Sequence, residues 1–170
     1  MLMKMISMDK LFNAYYHSPI GIIHVQADKD ALLLTSFIDD SDNEIATNHS
    51  PILKNTMEQL DAYFKGTLKA FDLPLKPVGT SFQQTVWKEL NNIPFGNTIT
   101  YLQLAKRLGN VKSIRAAASA NGKNPIGIII PCHRVIGTDG KLTGYAGGLY
   151  RKQWLLQHEA KTAGHPVLYL

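Results

Sequence analysis

A short segment that contains two prolines and ends in glycine, Leu73–Gly79, divides the chain into two parts with different hydrophobic patterns. Three runs before it are rich in β-branched, aromatic and aliphatic residues and predict strands: Asn13–Ser18, Ile20–Gln26 and Ala31–Ile38. After it, apolar residues recur at helical spacing. We therefore expect a linker and an α+β fold with two domains, residues 1–79 and 80–170.

The first domain is expected to be a small α/β unit of antiparallel strands and one helix. Turn-forming residues separate the runs at Ser18–Gly21 and at Asp28–Asp30, and the polar stretch Asp39–His49 predicts a surface loop. Ser50 is suited to cap a helix, with Pro51 at the first helical position. Apolar residues then follow at helical spacing: Leu53, Met57, Leu60 and Phe64.

The second domain is expected to be mostly helical. An amphipathic pattern spans Phe82–Leu90, and Thr100 with Gln103 has the spacing of a capping box that opens the next helix. A further helix is predicted from Val111 to Asn121, beyond a glycine-containing turn. Two short helices joined in this way have the outline of a helix-turn-helix, an outline that many helical hairpins share.

The remaining pattern centres on one cysteine. The apolar, β-branched run Ile126–Ile130 is short and predicts a buried strand that ends at Cys132. A glycine-rich loop, Gly144–Gly148, precedes a last helix that carries Leu149, Trp154, Leu155 and Leu156. In an extended segment adjacent side chains point to opposite faces, so Cys132 and His133 would need a turn or a bridging water to act together.

Composition excludes several classes of protein. With one cysteine no intramolecular disulfide can form, and a zinc site with two or more thiolates is excluded. The six histidines lack ligand spacing, so we expect neither a metal nor a cofactor. No stretch of 18 apolar residues occurs, and Met1–Met8 lacks a cleavage-site pattern, so we expect a cytoplasmic protein that is neither membrane-bound nor exported.

Charge is distributed unevenly between the two domains. Residues 1–79 carry 7 lysines and 10 acidic residues, a net charge of −3, whereas residues 80–170 carry 11 basic and 3 acidic residues, a net charge of +8. A basic domain joined to an acidic one suggests that the basic domain contacts a polyanion. A solvated basic surface would explain the charge alone equally well.

Cys132 lies between a proline and the pair His133-Arg134, either of which could favour the reactive thiolate. His133 would need an orienting partner to act as a base. Few carboxylates occur in this half, and Glu159 near the end of the last helix is the best placed. The alternatives are a buried, inert cysteine and a solvated acid at the end of a helix.

The residues around Cys132 resemble the O6-alkylguanine-DNA alkyltransferases. Pro131-Cys132-His133-Arg134-Val135 matches the active-site signature of this family, and the resemblance extends from about Ser81 to Ala160. Further matching positions occur in the family's order and spacing: Thr100-Tyr101, Gln103-Leu104-Ala105, Arg115-Ala116, Asn124-Pro125, Gly144-Tyr145, Gly147-Gly148-Leu149, Trp154-Leu155-Leu156 and His158-Glu159. The chain looks most like the short bacterial form, whose N-terminal domain is ribonuclease H-like.

The resemblance implies direct-reversal repair: irreversible transfer of one alkyl group from O6-alkylguanine, with O4-alkylthymine as a further candidate substrate, after the nucleotide is flipped out. Cys132 would accept the alkyl group and His133 would act as base through a water. Glu159 would hold His133, and Tyr101 would protonate guanine N3 as the base leaves. These roles suit a reaction that develops negative charge on the ring.

The resemblance also implies how DNA is bound. The second helix of the helix-turn-helix would enter the minor groove of double-stranded DNA, and Arg115 would fill the gap left by the extruded nucleotide. The expected contacts with DNA or with the flipped base are Arg115, Ala116, Ala117, Ser119, Asn124, Arg134, Val135, Tyr145 and Ala146. We expect a monomer, with cooperative assembly on DNA left open.

Two positions depart from the family's pattern: Ala146 stands where many relatives have serine, and Ala117-Ala118 replaces the usual Val-Gly. We expect the first change to preserve function with altered inhibitor sensitivity, and the second to shift helix packing slightly. Two other classes compete with repair. A helix-turn-helix regulator would not need the cysteine signature, and a cysteine hydrolase would leave Arg115 and the alanine-rich helix unexplained.

Overall fold

The computed structural model describes residues 10–39 and 47–166. Its first part is an antiparallel sheet of three strands in the order β1 (Phe12–Ser18), β2 (Gly21–Ala27) and β3 (Leu32–Ile38). All three predicted strands are confirmed. The predicted N-terminal segment Met1–Met8 and residues 40–46 of the predicted loop lie outside the described residues.

Helix α1 (Pro51–Phe64) packs against β1 and β2 and starts where the sequence predicts. The side chain of Ser50 accepts a hydrogen bond from the Leu53 amide at 3.1 Å, which satisfies one of the free donors of the first turn. The buried face of the helix consists of Leu53, Thr56, Leu60 and Tyr63. Met57 and Phe64, which the spacing placed on this face, lie at its partly buried edge.

The second part is mostly helical. Its elements are α2 (Ser81–Leu90), β4 (Ile99–Thr100), α3 (Tyr101–Arg107), α4 (Ile114–Gly122), β5 (Val135–Ile136) and α5 (Leu149–Ala163). Thr100 and Gln103 form the predicted capping box at the start of α3. Helices α3 and α4 form the helix-turn-helix, and the short parallel pair β4–β5 joins α3 to the segment around Cys132.

Helix α4 is shorter than the predicted helix Val111–Asn121, because Val111–Ser113 forms a 3₁₀ turn. The side chain of Asn110 accepts from the Lys112 amide at 3.0 Å, and the Ser113 hydroxyl donates to the Asn110 carbonyl at 2.6 Å. Such local bonds from side chains to backbone compete with an α-helical first turn.

The predicted strand Ile126–Ile130 is wrong. The run is buried apart from Gly127, but it forms tight turns, and Ile128 has a positive φ of 69°. Its contact with a sheet is a single bridge between Ile126 and Thr35 on β3. The backbone then turns back on itself, with hydrogen bonds from Ile129 to Gly127 and from Cys132 to Ile130, both 2.8 Å. Burial in a protein core thus explains the apolar composition without a strand.

The two parts share one hydrophobic core. Trp87 of α2, Ile126 of the turn segment and Leu155 of α5 are buried in the same cluster as residues of β2, β3 and α1. Within residues 10–39 and 47–166, no helix combines the length and the apolarity needed to cross a membrane. The same residues contain no group of three or more histidine, cysteine or acidic side chains that could hold a metal ion.

Candidate active site

Cys132 begins a 3₁₀ turn, Cys132–Arg134, which leads directly into β5. The expectation that the cysteine ends a strand is therefore corrected, and the alternation of side chains in a strand does not apply. Cys132 is buried, and burial raises the pKa of its thiol, although a hydrogen bond with Asn124 and the charge of Lys152 act in the opposite direction. The cysteine is therefore a thiol at neutral pH and needs a base to become a nucleophile.

His133 is fully buried beside this thiol and hydrogen-bonds to Glu159, with 2.8 Å between Nε2 and Oε1. Burial lowers the pKa of His133, and this effect outweighs the attraction of Glu159, so the ring is neutral at pH 7. Because a carboxylate only accepts hydrogen bonds, the ring proton lies on Nε2. Nδ1 is therefore unprotonated, and no described group hydrogen-bonds to it. Such a nitrogen is free to accept a proton.

Glu159 lies on α5 and is fully buried, so it is not a solvated acid at a helix end. Arg134 donates to it from Nε at 2.8 Å and from Nη2 at 3.0 Å, and the Gly96 amide donates at 3.1 Å. Burial raises the pKa of Glu159, but His133 and Arg134 together lower it well below its usual range. Glu159 is thus an anion whose charge is balanced by Arg134 when His133 is neutral.

Arg134 is buried in this ion pair, and its Nη1 also donates to the carbonyl of Ile93. The prediction that its side chain contacts DNA does not fit this position, nor does a direct effect on the thiol. Ala117 and Val135 are likewise fully buried, so their side chains face the core. The Val135 amide donates to the carbonyl of Cys132, and the Val135 carbonyl accepts from Lys152.

Lys152, which the sequence reasoning missed, is a fully buried cation behind the cysteine turn. Its Nζ donates to the carbonyl of Val135 at 2.6 Å and to that of Thr143 at 2.9 Å. Burial lowers the pKa of Lys152 to about 8, and the nearby Cys132 opposes this shift. The helical spacing could have indicated that Lys152 is buried, because it falls on the same face of α5 as Leu155, Leu156 and Glu159.

Tyr101 lies at the start of α3 and donates from its hydroxyl to the carbonyl of Thr143 at 3.3 Å. This carbonyl also accepts from Lys152, whose Nζ lies 5.8 Å from the centre of the Tyr101 ring. Burial raises the pKa of Tyr101, so its hydroxyl keeps its proton at neutral pH. The structure brings Tyr101 to the same site as Cys132, as the resemblance implied.

Two asparagines join α4 to the cysteine turn. Asn121, at the end of α4, donates to the carbonyl of Cys132 at 3.3 Å. Asn124 donates to the carbonyl of Ile130 at 2.8 Å and accepts from the Ile126 amide at 3.0 Å. The position of the helix and that of the thiol are therefore coupled through direct hydrogen bonds.

Cys132 lines a small cavity of about 40 Å³, which Thr35 and Phe37 of β3 also line. An open cavity of about 620 Å³ adjoins it, lined in part by Tyr101, Arg115 and Ala118. Four residues line both cavities: Gly122, Gly144, Tyr145 and Ala146. The smaller cavity, at about 40 Å³, has room for a few water molecules and is too small for a purine.

Helix α4 presents a face of small and basic residues at this open cavity. Arg115, Ala116 and Ser119 are exposed on the helix, whereas its opposite face is held by a hydrogen bond of 2.8 Å from the Trp87 indole to the Ala120 carbonyl. The structure thus brings the predicted residues Arg115, Ala116 and Ser119 to one exposed face of α4, and Arg115 lines the larger cavity together with Tyr145 and Ala146.

Two family descriptions match the chain, and together they cover most of it. Residues 11–77 match the family described as 6-O-methylguanine DNA methyltransferase, ribonuclease-like domain. Residues 81–161 match the description 6-O-methylguanine DNA methyltransferase, DNA binding domain.

Individual relatives agree with these matches. The chain is 44% identical over 153 residues to the methylated-DNA–protein-cysteine methyltransferase of Methanosarcina acetivorans, covering 88% of this chain and 98% of that protein. The Haemophilus influenzae protein of the same name is 40% identical over 160 residues, with 89% and 88% covered.

Solved structures show the same similarity. The crystal structure of Mycobacterium tuberculosis O6-methylguanine methyltransferase superimposes with a TM-score of 0.81 at 40% identity and covers 90% of this chain and 94% of that one. The structure of M. tuberculosis OGT in complex with DNA gives a TM-score of 0.80 at 42% identity, with 87% and 92% covered. The chain therefore belongs to the 6-O-methylguanine DNA methyltransferase family, whose members are DNA-binding methyltransferases of DNA repair.

Proposed function

We propose that this protein repairs O6-alkylguanine in double-stranded DNA by moving the alkyl group irreversibly onto Cys132, once per protein molecule. The observation that carries the proposal is the arrangement around the buried thiol. His133, in the same turn, presents an unprotonated Nδ1, and its Nε2 is held by the anionic Glu159 at 2.8 Å. This arrangement supplies a base where burial has suppressed the thiolate.

In the proposed reaction the thiol proton passes to Nδ1 of His133 through a water. The sulfur then attacks the alkyl carbon, so that an S–C bond forms while the bond from carbon to O6 breaks and its electron pair stays on guanine. Tyr101 donates its proton to N3 of the leaving base and later regains one from solvent. The products are a thioether and guanine, and a thioether has no good leaving group from which the thiol could be regenerated.

The proposed route of the base runs from the larger cavity into the smaller one, which Cys132 lines. The target nucleotide would leave the duplex through the minor groove beside α4, and Arg115 would take its place in the stack. Because Tyr145 and Ala146 line both cavities, their loop must move to admit the base. Backbone groups of Cys132, Val135 and Ala146 would then contact the base edge, while Asn124 supports the turn. The net charge of +8 in residues 80–170 supports contacts with phosphates.

Several finer points belong to the same proposal. O4-alkylthymine is a second candidate substrate. We infer a monomeric, cytoplasmic protein. We also infer that its two domains, residues 1–79 and 80–170, act together, because β3 of the first domain lines the cavity of Cys132 in the second.

The mass of the intact protein tests the proposal. Incubation with duplex DNA containing O6-methylguanine should add one methyl group to the wild-type protein and none to the Cys132→Ser variant. The DNA affinity of this variant should stay within several-fold of the wild-type affinity. An unchanged mass would support a protein that only binds DNA. Release of more guanine than there are protein molecules would support a turnover enzyme such as a hydrolase and contradict the proposal.

A further inference from the structure

Tyr63 connects the N-terminal sheet-and-helix unit to the carboxylate behind His133. It lies on the buried face of α1, 96 residues before Glu159 in the chain, and its hydroxyl donates to Oε1 of Glu159 at 2.8 Å. The ring is fully buried, and the Tyr63 carbonyl accepts a hydrogen bond of 2.8 Å from Nε2 of His158 on α5. Tyr63 is therefore fixed at both its backbone and its hydroxyl.

The oxygen that Tyr63 contacts is the one that holds His133. Oε1 of Glu159 accepts from the Tyr63 hydroxyl, from Nε2 of His133 and from Nη2 of Arg134. Burial and the negative charge of Glu159 raise the pKa of Tyr63 well above its usual value, so the hydroxyl stays protonated and donates. A donor on Oε1 draws charge from the oxygen and reduces its ability to stabilise a protonated His133.

We propose that Tyr63 is a positioning residue for the transfer reaction, through which the N-terminal domain sets the orientation and the basicity of His133. The inference rests on the proposed role of the His133–Glu159 pair. Among the described residues, the other charged and titratable groups that act on this pair are Arg134 in the turn, Lys152 on α5, and Tyr145 in the loop before α5. All of these lie in the C-terminal half, so Tyr63 is the group that the described part of the N-terminal half contributes.

Loss of the hydroxyl leaves two donors on Oε1, and the remaining negative charge then stabilises protonated His133 more strongly. Tyr63→Phe should therefore move the acidic limb of the transfer-rate profile to higher pH by about half a unit or more. Loss of the restraint on Glu159 should also lower the rate near neutral pH by about tenfold. Replacement of Tyr63 by 3-fluorotyrosine, a stronger donor of nearly the same shape, should move the acidic limb to lower pH.

The matched control is Tyr16→Phe, a change on β1. The Tyr16 hydroxyl hydrogen-bonds to Asp61 and not to Glu159. Single-turnover transfer from O6-methylguanine DNA is measured across the pH range for wild type, both phenylalanine variants, the fluorotyrosine protein and Glu159→Gln. If Glu159→Gln transfers at the wild-type rate, the proposed role of the pair fails. If Glu159→Gln is slow but Tyr63→Phe behaves as Tyr16→Phe does, the inference about Tyr63 is wrong. A fluorotyrosine profile that coincides with the wild-type profile overturns it too, even if Tyr63→Phe does not fold.

Discussion

Thr35 of β3 and Gly127 of the segment before the cysteine turn hydrogen-bond to each other in both directions. The Gly127 amide donates to the Thr35 carbonyl at 3.0 Å, and the Thr35 hydroxyl donates to the Gly127 carbonyl at 2.6 Å. The Thr35 amide also donates to the carbonyl of Pro125 at 3.0 Å. The N-terminal sheet thus takes up backbone polar groups of a segment that, among residues 10–39 and 47–166, meets a strand only at the bridge between Ile126 and Thr35.

Replacement of Thr35 by valine should therefore destabilise the protein, because the Gly127 carbonyl then keeps only the Ile129 amide as a donor. We expect the free energy of unfolding to fall by about 0.5–1.5 kcal/mol in urea titrations. Thr35→Ser keeps the hydroxyl and serves as the control. Equal losses for serine and valine would show that packing of the γ-methyl group matters and that the hydrogen bond does not.

Stability should fall with acid in a way that depends on Glu159. Its pKa is depressed in the folded state, so its charge contributes stability above the unfolded value, about 4.5, that is lost as the pH falls below it. His133 also has a depressed pKa, and its contribution diminishes as the pH falls below about 6.5.

Glu159→Gln should cost about 3–5 kcal/mol near neutral pH, because Arg134 is left buried without its counter-charge. The difference from wild type should shrink as the pH falls below about 4.5, because the carboxylate then takes up a proton in the unfolded chain before it does so in the folded protein. Urea unfolding at a series of pH values measures this difference in the free energy of unfolding. Glu58→Gln, a change at an exposed position, is the control. A difference that stays constant with pH would contradict the assignment.

Lys152 should assist transfer through its charge. Lys152→Met removes the buried cation that lowers the pKa of the Cys132 thiol, so single-turnover transfer at pH 7 should slow by about 3- to 10-fold. Because the pKa of Lys152 is about 8, the wild-type lysine loses its proton above that pH, and the two rates should converge there. Lys161→Met, an exposed change on the same helix, is the control. A rate ratio that does not change with pH would mean that Lys152 serves only to hold the carbonyls of Val135 and Thr143.

Arg115 should matter more for duplexes than for single strands. Its side chain is exposed at the rim of the open cavity, where an extruded nucleotide would leave a gap in the stack. Arg115→Ala should therefore slow repair of O6-methylguanine in duplex DNA more than in a single strand, because only the duplex must be unstacked. Lys123→Ala, another exposed cation near the end of α4, controls for loss of charge. Equal slowing on both substrates would indicate a phosphate contact.

The elements with local signals could be predicted from the sequence. Ser50 and the pair Thr100–Gln103 form hydrogen bonds with backbone amides at the starts of α1 and α3. Their positions in the sequence therefore mark where these helices begin. The predicted site residues Cys132, His133 and Glu159 do lie together. Nothing local brings residue 159 to residue 133; Glu159 is expected there because few carboxylates occur in this half, and the resemblance supports the grouping.

The features that the sequence did not reveal depend on distant partners. The segment Ile126–Ile130 has the composition of a strand, but within the part of the chain that the structure describes its pairing with a strand is limited to the bridge between Ile126 and Thr35. From the sequence alone Arg134 resembles a surface cation, because only the fold shows that Glu159 lies beside it. Tyr63 looks like an ordinary core aromatic, and its hydroxyl has a role only because α1 packs close to α5.

The burial of Cys132 also bears on how long a molecule of this protein keeps its one useful sulfur. Oxidants and small electrophiles attack exposed thiolates first, and Cys132 is a buried thiol, 6% exposed, that lines a cavity of only about 40 Å³. In the proposed reaction, which uses each molecule once, such shielding would preserve the thiol between synthesis and the encounter with damage. If DNA binding moves the loop of Tyr145 and Ala146, this resistance to peroxide would end only then. The thiol would become accessible when the damaged base that it repairs is bound.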